Sequence, residues 1–187
     1  MAFDYPIFLD LSGVPVLVVG GGRVALRKVE SLLRAGASVR VVAPDISDEI
    51  RELPAQIVAR RFEPADLDDV RLVLTAADDS GVNADVAAEA GRRGLWVNSA
   101  DDPANCTFTL PAVAREGAVT VAVSTGGASP ALSSHLRNEI QRWLGEMGVA
   151  EAASELASQR AALHARGEST ESLDWSERVR AALRQEG

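Results

Sequence analysis

Aromatic side chains are scarce in this sequence: Phe, Tyr and Trp together make up 4% of 187 residues, while hydrophobic residues reach 47%. The core must therefore be filled with Ala, Val and Leu, which suits a parallel sheet covered by helices. Cysteine is limited to Cys106, which excludes an internal disulfide and fits a reducing compartment. Lys and Arg number 19 against 27 Asp and Glu, for a net charge of −8. That balance argues against nonspecific nucleic-acid binding as the main role, and an anionic ligand has to be met by local donors. The start, Met1-Ala-Phe-Asp-Tyr-Pro6, has no basic region and no apolar leader, and no apolar run approaches membrane-spanning length. A soluble cytoplasmic protein with no membrane contact is expected. His135 and His164 lie far apart without ligand spacing, so neither a metal site nor a histidine-based triad is expected.

What is present is organised around Val16-Leu-Val-Val-Gly-Gly-Gly-Arg-Val-Ala25. Apolar, mostly β-branched residues run into three glycines. A helical pattern follows, with Val24, Ala25, Val29, Leu32 and Leu33 on one face and Gly36 as its stop. Strand, glycine turn and helix carry Gly20-x-Gly22-x-x-Ala25, the spacing of a dinucleotide site. Gly20 permits the tight turn, Gly22 lets a pyrophosphate approach the backbone, and Ala25 lets helix and strand pack closely. The helix N-terminus offers N–H groups and the positive end of its dipole to phosphate. A second strand at 38–43 ends at Pro44-Asp45. Asp45 is the nearest candidate to bind the adenine ribose; the alternative is that it caps a short helix at 46–53. An acidic residue there disfavours a 2′-phosphate and so prefers NAD to NADP, with Arg23 and Arg40 as counterweights.

Further strands are expected at 56–62, 70–77 and 95–97, with a helix at 82–93 and a short edge strand or lead-in at 6–11. This alternation predicts an α/β fold: a Rossmann-like parallel, right-handed sheet with helices on both faces. The loops at 20–24, 43–45, 75–80 and 98–103 should then share the carboxyl edge, where ligands sit. After residue 103 the rhythm changes. Segments 108–115 and 118–123 read as two β segments joined by a turn. Ser129 and Pro130 open a helix over 130–144, with Leu132, Leu136, Ile140, Trp143 and Leu144 on one stripe. Helical patterns at 150–166 and 172–185 finish the chain. The expected divisions are 1–112 for dinucleotide binding, 113–145 as a small α+β dimerisation module and 146–187 as a helical tail.

Two stretches can carry chemistry. Asp101-Asp102 follows the fifth strand at the expected ligand edge, where a carboxylate near an apolar pocket can act as a base. Otherwise the pair is solvated or caps a turn. Ser124-Thr-Gly-Gly-Ala-Ser-Pro130 leads into a helix N-terminus and can meet an anion, or simply cap the helix. Cys106 has no basic neighbour and reads as a small buried residue.

Six stretches together resemble the precorrin-2 dehydrogenase family, which includes the amino-terminal module of siroheme synthases. They are Pro6-Ile-Phe-Leu, Val18 to Lys28, Thr75-Ala-Ala-Asp-Asp79, Val97-Asn-Ser-Ala-Asp-Asp-Pro103, Phe108-Thr-Leu-Pro-Ala112 and Val121 to Pro130. The resemblance covers about residues 5–145. It implies NAD-dependent oxidation of the tetrapyrrole precorrin-2 to sirohydrochlorin, in some members followed by Fe²⁺ insertion to siroheme. It places the catalytic aspartate of Asn-x-x-Asp-x-Pro on Asp101. Cofactor contacts fall on Gly20, Gly22, Arg23, Val24, Pro44, Asp45, Thr75, Ala76 and Ala77. Substrate contacts fall on Asn98, Ser124, Thr125, Gly126, Gly127 and Ser129, with Arg137 beyond as a further donor. Thr125 keeps a hydroxyl where the family has serine; Ala128 loses one where the family has threonine. The resemblance also implies a homodimer through about 113–150, each pocket near the subunit boundary; the alternative is that the tail helices cover the apolar stripe within one chain. The methyltransferase fused to many siroheme synthases is expected on another protein. A nucleotide-sensing regulatory module without catalysis is the competing function, since it too uses the glycine turn; a partner that has lost its chemistry is a further one.

Overall fold

The computed structural model describes residues 5–100, 102–171 and 173–183. The chain divides into two compact units, Met1–Leu110 and Pro111–Gly187.

In the first unit the strands are β1 (Pro15–Val19), β2 (Ser38–Val42), β3 (Gln56–Val58), β4 (Leu72–Thr75) and β5 (Trp96–Ser99), and the helices are α1 (Arg23–Arg34), α2 (Asp48–Arg51) and α3 (Ser80–Arg92). The sheet is parallel throughout, in the order β3-β2-β1-β4-β5. β1 is central because its side chains are apolar on both faces. Val16 and Val18 pack with Val29 and Ile50 on the α1–α2 side, and Leu17 and Val19 pack with Val86 and Ala90 on the α3 side. Val16, Leu17 and Val18 are 0% exposed, each contributing about 1.5–3 kcal/mol relative to exposure. Small Ala25 and Ala90 let the helices approach closely, as an aromatic-poor core requires.

Several boundaries differ from expectation. Residues 6–11 form no strand, and Tyr5, Ile7, Phe8 and Leu9 are exposed; the segment is largely apolar, but among the described residues no strand pairs with it. β3 stops at Val58, because beyond it Arg60 turns to a buried acid. Its guanidinium grips Asp66 at 2.8 and 2.7 Å, and Asp66 also accepts from the Glu63 N–H at 2.9 Å. The Arg60 hydrogen bond holds the Asp66 carboxyl below the ordinary aspartate range despite its burial. β4 is shorter than the expected 70–77. The N-cap position of α2 is Ser47, not Asp45, without a side-chain cap hydrogen bond, and the helix spans four residues.

The second unit holds the antiparallel hairpin β6 (Ala112–Glu116) and β7 (Val119–Val123), then α4 (Pro130–Glu146), α5 (Val149–Ala165) and α6 (Ser176–Ala182). Gly117 turns the hairpin at φ +56°. α4 packs on it, and the Gln141 amide accepts from the Arg115 N–H at 2.9 Å and donates to the Arg115 carbonyl at 2.8 Å, closing part of the strand edge. The apolar stripe of α4 divides: Leu144 is buried, while Leu132, Leu136 and Trp143 are 47%, 39% and 55% exposed, although α5 packs against the same helix.

Candidate functional site

The register Val19↔Val42, Val19↔Thr75 and Thr75↔Ser99 brings the strand ends level, so the loops after β1, β2, β4 and β5 share the carboxyl edge as expected. The three glycines of the first loop do different things. Gly20 sits at φ +133°, its N–H on the Val42 carbonyl at 3.0 Å, and a Cβ there would strike the Ala76 carbonyl. Gly21 faces the turn after β2: a Cβ there would strike the Asp45 carbonyl, and its own carbonyl accepts from the Ser47 N–H at 2.9 Å. The fingerprint singles out Gly20 and Gly22, so Gly21 was missed; the run of three glycines was the available signal.

Gly22 is the N-cap of α1, and a Cβ on it would meet no described atom within 4 Å beyond its chain neighbours. Among the described residues no side chain caps this helix, and its first turn holds no acid. Its N–H groups and dipole are left for an anion, which is the fit a dinucleotide pyrophosphate requires. Arg23, Val24, Pro44 and Asp45 are all exposed around it. Arg40 is engaged elsewhere, donating to Gln56 Oε1 at 3.1 Å and reaching the Asp66 carbonyl at 3.5 Å.

Beyond β4, Thr75 is fully buried and its Oγ1 donates to Ser99 Oγ at 2.9 Å, so its side chain is turned inward. Ala76 and Ala77 form the backbone wall beside Gly20. Asn83 of α3 holds the Ala77 peptide at both ends, accepting from its N–H at 3.0 Å and donating to its carbonyl at 2.8 Å. The helical pattern at 82–93 does not single out Asn83; polarity at an inward position is the signal that could have found it.

Asp101 lies outside the described residues. Around it in sequence the loop is tightly tied. Cys106 is buried; its Sγ accepts from the Ser99 N–H at 3.1 Å, and its S–H lies 3.3 Å from the carbonyls of Ser99 and Asp102. The Asp102 carboxylate accepts from Asn105 Nδ2 at 2.5 Å. Asn98, expected at the substrate, is 8% exposed; its Oδ1 accepts from Lys28 Nζ at 2.6 Å and its Nδ2 donates to the Phe108 carbonyl at 3.2 Å. Among the described residues no group of three or more His, Cys, Asp or Glu could hold a metal, and no helix is long and apolar enough to cross a membrane.

In the second unit the loop 124–130 turns its hydroxyls on itself. Thr125 Oγ1 accepts from the Ser129 N–H at 3.1 Å, and Ser129 Oγ accepts from the Leu132 N–H at 3.2 Å as the expected N-cap. Ser124, Gly126 and Gly127 face solvent, the glycines at φ +61° and +88°. Arg137 is half-buried on α4 two turns on.

Two family models match. One, described as putative NAD(P)-binding, covers residues 7–112; the other, described as sirohaem biosynthesis protein central, covers 116–142. The siroheme synthase of Pseudomonas entomophila (strain L48) is 44% identical over 146 residues, 75% of this chain and 32% of that protein. That of Methylococcus capsulatus (strain Bath) is 48% identical over 143 residues, 74% of this chain and 30% of that protein. The chain thus spans about a third of the length of these relatives. Among solved structures, SirC, a precorrin-2 dehydrogenase, is 28% identical with a TM-score of 0.74, over 96% of this chain and 88% of that one. The chain belongs to the NAD(P)-binding family whose model covers more than half of it, and that match is followed along the chain by the match to the sirohaem biosynthesis central model.

Proposed function

We propose that this chain oxidises precorrin-2 to sirohydrochlorin with NAD⁺, in siroheme biosynthesis. The observation that carries the reading is the likeness to SirC over nearly the whole chain, at an identity above that of mere fold relatives. The uncapped, acid-free N-terminus of α1 supports the cofactor half of it. NAD⁺, when bound, supplies the acceptor for the hydride that leaves the substrate. Gly20, Gly21 and Gly22 bring the backbone close to the pyrophosphate, Asp45 takes the ribose hydroxyls and disfavours a 2′-phosphate, and Ala76 and Ala77 wall the site. The oxidation removes one hydride and one proton, so the chain has to accept only the proton. We assign that to Asp101, on its place in the sequence motif. The loop 124–129 and Arg137 are assigned to the carboxylate arms of the tetrapyrrole, with Ser124 and the two glycines as the outward members.

The same Asp101 would serve Fe²⁺ insertion, with Fe²⁺ as a second substrate. A homodimer through α4 is proposed on its exposed Leu132, Leu136 and Trp143. The cytoplasm is the proposed location, consistent with a single reduced thiol.

Anaerobic mixing of the protein with precorrin-2 and NAD⁺ should give NADH and sirohydrochlorin in equal amounts. A second arm with sirohydrochlorin and Fe²⁺ reads chelation. Asp101→Ala should lower NADH formation at least about 100-fold, the scale of a lost general base, with NAD⁺ affinity kept. No NADH from the wild type would refute the function, and near-normal turnover by the variant would refute the assignment. Sedimentation at micromolar concentration tests the dimer: a single species at the 19.7 kDa monomer mass would refute it.

A further inference from the structure

We infer that Lys28 is a positioning residue of this dehydrogenation, acting through Asn98; the inference rests on the function proposed above. Of the 19 Lys and Arg residues, Lys28 is the single lysine. It stands half-buried on α1, in the second turn after the glycine loop. Its Nζ lies 2.6 Å from Oδ1 of Asn98. Asn98 sits on the face of β5 that α1 covers, since it registers with Leu74, which itself registers with Val18. An ammonium only donates, so Lys28 fixes which way the amide is turned: Oδ1 toward α1, Nδ2 toward the Phe108 carbonyl. One side-chain amide thereby joins the dinucleotide helix, the end of β5 and the return segment at 106–108.

The loop from Ser99 to Cys106, which contains Asp101 in sequence, begins one residue beyond this junction. Its far end is held by Cys106 on the Ser99 backbone. Lys28 is thus the link from the cofactor's helix to the root of the loop that carries the proposed base. The chemistry also explains the departure from arginine. A compact ammonium on a flexible stem fits beside a buried amide oxygen, whereas a planar guanidinium needs room for its rigid fork. Small misplacement of a reacting group is costly, with 1 Å worth as much as about 100-fold in rate.

The test is a double-mutant cycle on Lys28→Met and Asn98→Ala, reading kcat, KM for precorrin-2 and NAD⁺ affinity. Lys28→Met should lower kcat about 10- to 100-fold, with NAD⁺ affinity changed by less than about 3-fold. The losses of the two single variants should combine to less than their product, because Lys28 acts through that amide. Losses that multiply, or a Lys28→Met enzyme with wild-type kcat, would overturn the inference. Labelling with ¹⁵N-lysine adds a readout free of activity, since one lysine gives one Nζ signal. That signal should shift in Asn98→Ala; an unmoved signal would overturn the inference even where Lys28→Met fails to fold. An inactive wild type would instead refute the function itself, so the two failures are told apart.

Discussion

Two glycine-bearing loops lead into two long helices, and they are finished in opposite ways. At α1 the cap is Gly22, with no side chain on the helix end among the described residues and no acid in its first turn. At α4 the cap is Ser129, and Thr125 and Ser133 close a small hydroxyl network behind it. The second loop spends its donors and acceptors on holding its own shape. The first leaves its N–H groups unanswered by side chains, which costs stability in an isolated helix and is what an anion site requires. A helix N-terminus is therefore best judged as a ligand site by what its sequence withholds.

The contrast can be broken within the first loop itself. Gly21→Ala should lower unfolding stability by at least about 2 kcal/mol, because its Cβ meets the Asp45 backbone and no rotamer change relieves that. Gly22→Ala, with open space around its Cβ and an ordinary φ of −94°, should change stability by less than about 0.5 kcal/mol. Urea unfolding of the two variants measures both.

In the second loop the largest loss should come from Thr125→Val, about 1–2 kcal/mol, since it strips a partner from the Ser129 N–H. Ser129→Ala should cost about 1 kcal/mol through the lost cap. The same unfolding measurements apply, and neither variant should alter NAD⁺ affinity.

A smaller effect separates the units under acid. Asp66 is 3% exposed, and its carboxyl is held below the ordinary value of 3.8 by the Arg60 hydrogen bond. A lowered folded-state value means its contribution is complete above 3.8 and is lost as pH falls below it. Glu139 in the second unit is also lowered by its arginine, Arg142, but that pair is exposed and contributes little. Asp66→Asn should flatten the acid limb of the stability curve, and Glu139→Gln should leave it nearly unchanged.

The central layer was legible because its signals are local. Val16–Val19, the glycines and the α1 stripe carry period and turn chemistry in adjacent residues, and Ser129-Pro130 names its own cap. What was not legible depends on partners distant in sequence. Residues 6–11 are as apolar as a strand, yet among the described residues no strand pairs with them. Strand three is cut short by an acid six residues beyond Arg60. Asn83 and Lys28 read as ordinary helix residues until the Ala77 peptide and Asn98 are seen beside them. Asp45 was a fair cap by spacing, but the helix starts two residues later and Ser47 takes the position.

The claim that the open N-terminus of α1 is the dinucleotide site is tested most directly by calorimetric titration of NAD⁺ into three proteins: wild type, Gly22→Asp and Gly126→Asp. The account predicts that Gly22→Asp weakens binding more than about 100-fold, because a carboxylate would occupy and repel the pyrophosphate position, while Gly126→Asp binds like the wild type. Equal affinity in wild type and Gly22→Asp would contradict it.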